Sequence, residues 1–371
     1  MEGEIFVVDN NSTDGSKEFF TDKFPGINFI WNTENEGFAK ANNKALHQAS
    51  GDYIIFLNPD SIVAEDCFEK CIAFIQSKNN DIACGVKMID GSGKFLKESK
   101  RAFPSPAISL YKLSGLTKLF PKSTIFSKYH LGYLDENVNH EIDVLAGAFM
   151  MMPKKIADKV GGFDEDFFMY GEDIDLSYRI QKAGYKNFYF AETTIVHFKG
   201  ESTKKGTLNY VKLFYTAMSV FVKKHYANKG AGFYNFFLQA AIVFRGSISA
   251  ISQIASPVKN AFGLKENSSE KDIVILGATV QSKEVTELFK PEELKKFVCV
   301  TWDQFSNGQP SVEEILSKLK GITDLYPGCA IVFCEGLYSF RTIIELAENL
   351  SHDLGKRFYF SGAASVVSGQ S

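Results

Sequence analysis

No CxxC pair occurs in this 371-residue chain, and its six cysteines, at positions 67, 71, 84, 299, 329 and 334, have no histidines beside them at metal spacing. That excludes a zinc-finger or thioredoxin-type site and fits a reduced, cytoplasmic setting. Cys67 and Cys71, four apart on an expected helix, read as small core residues. The opening MEGEIFVVDNNSTDGS lacks both a basic n-region and an apolar h-region, so it reads as a strand and not as a signal peptide. Nowhere do about twenty apolar residues run uninterrupted, as a bilayer span requires. The closest approach, Phe233 to Ile254, is broken by Asn235, Gln239, Arg245 and serines. Such a segment either covers a core, joins two domains, or lies on a membrane surface without crossing it. Excess charge is missing as well: a net charge of −3 and a pI near 6.1 argue against nucleic acid or a strongly anionic membrane as the main partner, while leaving room for local basic clusters.

A chain of this length, 45% hydrophobic, is expected to fold as more than one packed core. Up to about Phe198 short apolar strands alternate with helices: EIFVVD, INFIWN, FAKANNKALHQA, DYIIFLN, CFEKCIAFIQS, IACGVKMI. This is the rhythm of a mostly parallel sheet with helices on both faces, where ligands bind beyond the carboxyl ends of the strands. Asp9 and Asp60 fall at such ends, and their spacing favours one shared site. Between Asp90 and Glu141 the period is lost and Gly, Pro and Ser rise, so a long excursion is expected there, suited to shaping an acceptor site. A strand and helix return in VLAGAFMMMPKKIADKVGG, where Ala146, Gly147 and Ala148 leave room for a close approach to the backbone or for tight strand packing. The polar KENSSE at 265–270 reads as a linker into a second βα rhythm, DIVILGA, FVCVTW, CAIVFCEG and RFYFSG. Its first turn, LGATVQS, has one glycine where a dinucleotide fingerprint has three. The closing GAASVVSGQS offers no obvious final element, so this unit is expected to be truncated.

FMYGEDIDLSYRIQKAGY, from Phe168 to Tyr185, packs Glu172, Asp173 and Asp175 into one turn at the start of an amphipathic helix. One acid there suffices for capping and for the helix dipole; three repel one another and point to chemistry. Ile174, Leu176, Ile180 and Ala183 recur at helical spacing, so a buried apolar face would hold the acids rigidly. Asp175 reads as an orienting or helix-surface residue, paired at i,i+4 with Arg179.

Taken together, VVDNNSTDGS, NTENEGFAKANN, FLNPD, GAFMMMPKKIADKVGGFDEDFFMYGEDIDLSYRIQKAGY and TTIVHFKGEST, in this order between Glu4 and about Lys224, resemble a family 2 glycosyltransferase of the GT-A fold, most closely the rhamnosyltransferase-like branch of cell-envelope polysaccharide synthesis. The resemblance implies an enzyme making an inverting transfer from a nucleoside diphosphate sugar to a glycan or polyprenyl-linked acceptor, with Mg²⁺ or Mn²⁺ neutralising the leaving diphosphate. Asp60 matches the last acid of the family's DxD motif, here NPD with Asn58, and His197 matches the histidine that closes the metal site. Asp9 and the segment from Gly37 through Asn42 to Asn43 match the nucleoside pocket. Asp173 matches the general base, with Glu172 as the neighbour most easily mistaken for it. Lys199, Lys204 and Lys205, beside Gly200 and Gly206, suit a loop closing over the diphosphate. Read on residues alone, Asp9 and Asp60 could equally cap turns, and His197 could be an ordinary strand-end residue.

Family members ordinarily carry a further strand and helix before VVDNNSTDG, whereas Met1 here stands only a few residues ahead of it. The expected organisation is therefore a GT-A domain over 1–225 lacking that first strand and helix, an amphipathic segment and linker over 226–269, and a small Rossmann-like α/β domain over 270–371. Work at the inner face of the membrane, as a cytoplasmic and peripheral protein with no nucleic-acid partner, is the matching location. Two other readings stand beside the enzyme: a GT-A-like binding or scaffold protein that no longer turns over, and a dinucleotide- or CoA-type ligand role for the C-terminal unit.

Overall fold

The computed structural model describes residues 2–105, 108, 111, 116–198, 208–226, 271–277, 279–288, 294–300, 310–336, 338–360 and 367–368. The expected loop lysines 199, 204 and 205, the Phe233 to Ile254 segment and the KENSSE linker lie outside them.

Strand β1 (Phe6–Asp9), helix α1 (Ser16–Lys23) and strand β2 (Asn28–Trp31) form a parallel two-stranded unit in which Asp9 lies opposite Trp31. Helix α2 (Phe38–Leu46) leads to β3 (Tyr53–Leu57), β4 (Ser61–Val63), α3 (Cys67–Ser77) and β5 (Ile82–Ile89). Cys67, Cys71 and Ile75 sit one turn apart on α3 and are fully buried, so those thiols belong to the core, as their spacing suggests. After the excursion, which holds the one-turn helix α4 (Leu116–Leu119), come β6 (His140–Ile142), β7 (Phe149–Pro153), α5 (Lys154–Val160), α6 (Glu172–Lys182), β8 (Lys186–His197) and α7 (Leu208–His225).

The main sheet runs β3-β7-β5-β8-β4, with β6 on β8. Its layering is α/β as expected, but its strand directions are mixed. β3, α3 and β5 make the predicted crossover, and β7 then enters antiparallel between β3 and β5; only β5 and β8 pair in parallel. The excursion is the physical reason: it brings the chain back at the end of the sheet where β3 and β5 finish, so β7 must run back toward their starts. All eight residues of β5 are buried, as a central strand covered on both faces demands.

A second sheet contains β9 (Lys271–Leu276), β10 (Leu294–Val300), β11 (Ala330–Cys334) and β12 (Gly355–Tyr359), parallel in the order β10-β9-β11-β12. Val367–Ser368 adds an antiparallel edge strand, β13, to β12. Helices α8 (Thr279–Leu288), α9 (Val312–Leu325) and α10 (Phe340–Asn349) connect these strands. Ser311 closes a capping box with Glu314, and Ser339 caps α10 through Thr342.

The two sheets share one core. Ile62, Ala64, Ile195 and Val196 of the first cluster with Val274, Phe333 and Phe358 of the second. The polar seam is specific: Glu65 accepts the Phe340 and Arg341 amides at the start of α10, at 2.6 and 3.1 Å, a carboxylate on a helix N-terminus. Such placement contributes about 0.3–1 kcal/mol. Buried Lys87 pairs with Glu348, and buried Lys356 donates to the Ser92 carbonyl.

Candidate active site

Three strand ends and one helix start supply the predicted residues. β3 ends at Leu57, and the turn Asn58-Pro59-Asp60 carries the chain into β4, where Ser61 pairs with His197 at the end of β8. This register sets Asp60 Oδ1 3.1 Å from His197 Nε2, with Asn58 Nδ2 at 3.5 Å from the same nitrogen. The Phe198 amide donates to the Asp60 carbonyl at 2.9 Å, and the Phe198 ring packs edge-on against Phe358, centroids 5.0 Å apart, so the second sheet braces the residue after His197.

Leu57 lies opposite Phe149 in the β3/β7 pair, and the Asn58 amide donates to the Ala148 carbonyl at 3.0 Å. One residue further back, the Gly147 amide approaches Asp173 Oδ2 at 3.3 Å. A carboxylate is thus what approaches the backbone at the small residues of VLAGA. The predicted metal ligands and the predicted base are joined through Asn58 and the consecutive residues Ala148 and Gly147.

Asp173 stands in the first turn of α6, held there by a sharp turn in which Tyr170 and Gly171 both take positive φ, 70° and 82°. At Gly171 a side chain would also press on Ala217, Met218 and Phe167. Asp173 Oδ1 accepts the Ile174 amide at 2.8 Å, and Oδ2 accepts Arg101 at 2.5 Å. The buried Arg101 guanidinium also donates to the Leu145 carbonyl at 2.7 Å and bonds Tyr129 in the excursion. Sequence reasoning did not find Arg101, 72 residues from its partner. The Lys-Arg of ESKRAFP, ahead of a stretch without acids, was the available signal.

Glu172, adjacent in sequence, is buried, and its Oε2 finds no hydrogen-bond partner among the described residues. Burial, and then the charge of Asp173, push its carboxyl up to about 8. At neutral pH Glu172 is therefore a protonated acid, unsuited to accept a proton, whereas Asp173 is anchored by a cation and keeps a partly open side chain. A raised folded-state pKa means that the native protein holds this proton more tightly than the unfolded chain. Stability is then full below the ordinary 4.5 and falls as pH climbs toward about 8. Glu172→Gln is expected to match wild type in melting temperature at about pH 5 and to exceed it near about pH 8. A melting difference that does not change with pH would contradict the neutral-acid assignment.

Asp175 corrects the surface expectation. It is fully buried, with Arg179 Nε at 2.6 Å from Oδ2 as the i,i+4 spacing predicted, and with His225 Nε2 of α7 at 2.6 Å from Oδ1. Two positively polarised partners compensate its burial. It ties α7 to α6 over the apolar contacts of Ile174, Met218, Phe221 and Val222.

The remaining predicted residues sit around β1 and α2. Asp9 ends β1 and accepts the Ser12 amide at 2.9 Å, the turn role available to it on residues alone. Asn10 binds both Asn32, at 2.8 Å, and the Gly37 carbonyl, at 3.1 Å. Gly37 has φ 83°, and an added Cβ would lie 2.5 Å from the Phe168 carbonyl, which also accepts the Phe38 amide at 2.9 Å. This contact docks NEGF onto the turn that precedes Asp173. Asn42 turns back to the Phe38 carbonyl of its own helix at 2.9 Å. The neighbouring Asn43, buried, brackets Phe163 through both its amide and its carbonyl.

Residues 2–161 match the family described as Glycosyl transferase family 2, and residues 128–203 match one described as the N-terminal domain of galactosyltransferase. The chain carries a family 2 glycosyltransferase domain and is a glycosyltransferase, with an α/β fold. It is similar to the N-acetylglucosaminyl-diphospho-decaprenol L-rhamnosyltransferase of Mycobacterium tuberculosis, 24% identical over 261 residues that cover 67% of this chain and 82% of that one. It is also similar to the rhamnosyltransferase WbbL of Escherichia coli, 31% identical over 171 residues, 44% of this chain and 61% of that one. Among solved structures, the mannosyltransferase PcManGT of Pyrobaculum calidifontis, in complex with GDP-Man and Mn²⁺, matches at 16% identity with a TM-score of 0.40, over 78% of this chain and 72% of its own.

Proposed function

We propose that this chain transfers a sugar, with inversion, from a nucleoside diphosphate sugar to a hydroxyl of a lipid-linked glycan, and that the transfer depends on a divalent cation. The observation that carries the reading is the continuous seam from His197 and Asp60 through Asn58 and Ala148 to Gly147 and Asp173. It sets a pair suited to a cation and its diphosphate beside a carboxylate suited to a hydroxyl. Relatives named as rhamnosyltransferases, one acting on a decaprenol diphosphate carrier, support the substrate class.

Asp60 and His197 fit a divalent ion by chemistry: a carboxylate oxygen and an imidazole nitrogen converge within 3.1 Å, and Mg²⁺ or Mn²⁺ commonly takes one or two protein ligands plus substrate phosphates. No group of three or more His, Cys, Asp or Glu side chains gathers among the described residues. When bound, the ion would neutralise the departing diphosphate. The protein's own work lies at Asp173. Arg101 and the Gly147 and Ile174 amides hold its carboxylate in one orientation, and from there it takes the acceptor proton as that oxygen attacks the anomeric carbon from the side opposite the diphosphate. Glu172 stays protonated and spares Asp173 a second negative charge. The residues near Asp9, Asn10 and Gly37 line the nucleoside side, and the C-terminal α/β unit over 270–371 braces β4 and β8.

A panel of nucleoside diphosphate sugars with Mn²⁺, read by thermal shift, tests the reading. One donor should stabilise the protein by about 2.7 kcal/mol at a hundred times its dissociation constant. It should then release free nucleotide diphosphate once a polyprenyl-linked acceptor is added. Binding without release would favour the scaffold reading instead.

A further inference from the structure

The excursion carries a surface that the transfer reaction does not use. From Ser99 to Leu134, 36 residues contain no Asp or Glu and six Lys or Arg, at 100, 101, 112, 118, 122 and 128. At the chain's average density of acids, about four would be expected there. Inside this stretch Leu119 is 72% exposed, Phe120 50% and Ile125 57%, three large apolar side chains clustered within seven positions. They stand on an ordered base. Phe126 packs against Tyr111 and Phe120 with centroids 5.1 and 5.4 Å away, Thr117 Oγ1 donates to the Phe126 carbonyl at 2.7 Å, and the Ser127 amide donates to the Ser123 carbonyl at 3.0 Å. Lys122 and Lys128 are exposed on the same segment.

We propose that this face, Leu119, Phe120 and Ile125 flanked by Lys122 and Lys128, seats the protein on an anionic lipid surface. Apolar side chains held out from a packed base are costly in water and gain by entering the headgroup boundary, while each flanking lysine is attracted to anionic lipid. The absence of any acid over 36 residues removes the repulsion that this net-negative chain would otherwise bring to such a surface. The face also has an address. Tyr129, next to Lys128, is buried against Arg101, the partner of Asp173, and the Ala102 amide donates to its carbonyl at 3.0 Å. The consequence for delivery of a lipid-linked acceptor to Asp173 rests on the function proposed above; membrane seating itself does not.

Flotation of the full chain with vesicles tests it, using phosphatidylcholine alone and phosphatidylcholine mixed with phosphatidylglycerol. Wild type should float with the mixed vesicles and be released by high salt. Leu119→Ser/Phe120→Ser/Ile125→Ser and, separately, Lys122→Glu/Lys128→Glu should each weaken binding about tenfold or more, with melting temperature and donor-induced thermal shift unchanged. If wild type ignores the mixed vesicles, or if both variants float as well as wild type, the proposal is overturned. A wild-type self-association that the apolar variant abolishes, without vesicle binding, would overturn it in favour of a second copy of this chain. Because flotation needs no turnover, a protein that floats as predicted yet transfers no sugar would refute the function and leave this inference standing.

Discussion

Asp173→Asn should reduce sugar transfer on the order of a hundredfold to ten-thousandfold while leaving donor affinity close to wild type, with a lower melting temperature as buried Arg101 loses its charge partner. The amide keeps the shape of the side chain, but its single oxygen can serve either the Ile174 amide at the Oδ1 position or the Gly147 amide and Arg101 at the Oδ2 position, and it cannot take the acceptor proton. Arg101 then loses its charge partner at 2.5 Å, so part of the penalty falls on the orientation of the 101–145 contact. Steady-state turnover beside calorimetric donor binding separates these effects. Glu172→Gln should retain most activity, because it replaces a carboxyl already protonated at neutral pH by a neutral amide. If the two variants lost activity equally, or Glu172→Gln lost more, the base would not be Asp173.

The second large effect is expected at the other end of the seam. Asp60→Ala and His197→Ala should each weaken Mn²⁺-dependent donor binding by about a hundredfold or more, and EDTA should do the same to wild type, since a Lewis-acid countercharge to a diphosphate is worth several kcal/mol. Isothermal titration with and without Mn²⁺ is the measurement. Donor affinity unmoved by EDTA and by Asp60→Ala would remove the metal from the proposal, and Asp60 with His197 would then be an ordinary polar contact beside the β4/β8 pair.

Local pattern carried much of this protein. The strands ending at Asp9 and Leu57, the helix over Cys67–Ser77 and the acid-rich start of Glu172–Lys182 all follow from apolar spacing and turn residues within a dozen positions. Two kinds of fact lay beyond that range. Strand direction was one: FMMMP is equally apolar whether it runs up or down the sheet, and only the end of the sheet at which the excursion rejoins it decides that β7 enters antiparallel to β3. Charge compensation was the other. Asp175 looked like a surface acid because its Arg179 partner is visible in sequence, whereas His225, fifty residues away, is what makes full burial tolerable. Arg101 escaped for the same reason, its function being defined wholly by a carboxylate that meets it in space.

The seam between the two sheets bears on how this chain can be taken apart. Glu65 occupies the amides that open α10, Gly93 lies so near the Ala347 carbonyl that no side chain fits between them, and Ile62, Val196, Phe333 and Phe358 fill a single interior. A module that could be swapped between enzymes would end in a surface of its own. Here each half completes the other's, so grafting the second unit of a relative onto this first unit would transplant half a core, and the damage would register at Phe198, beside His197.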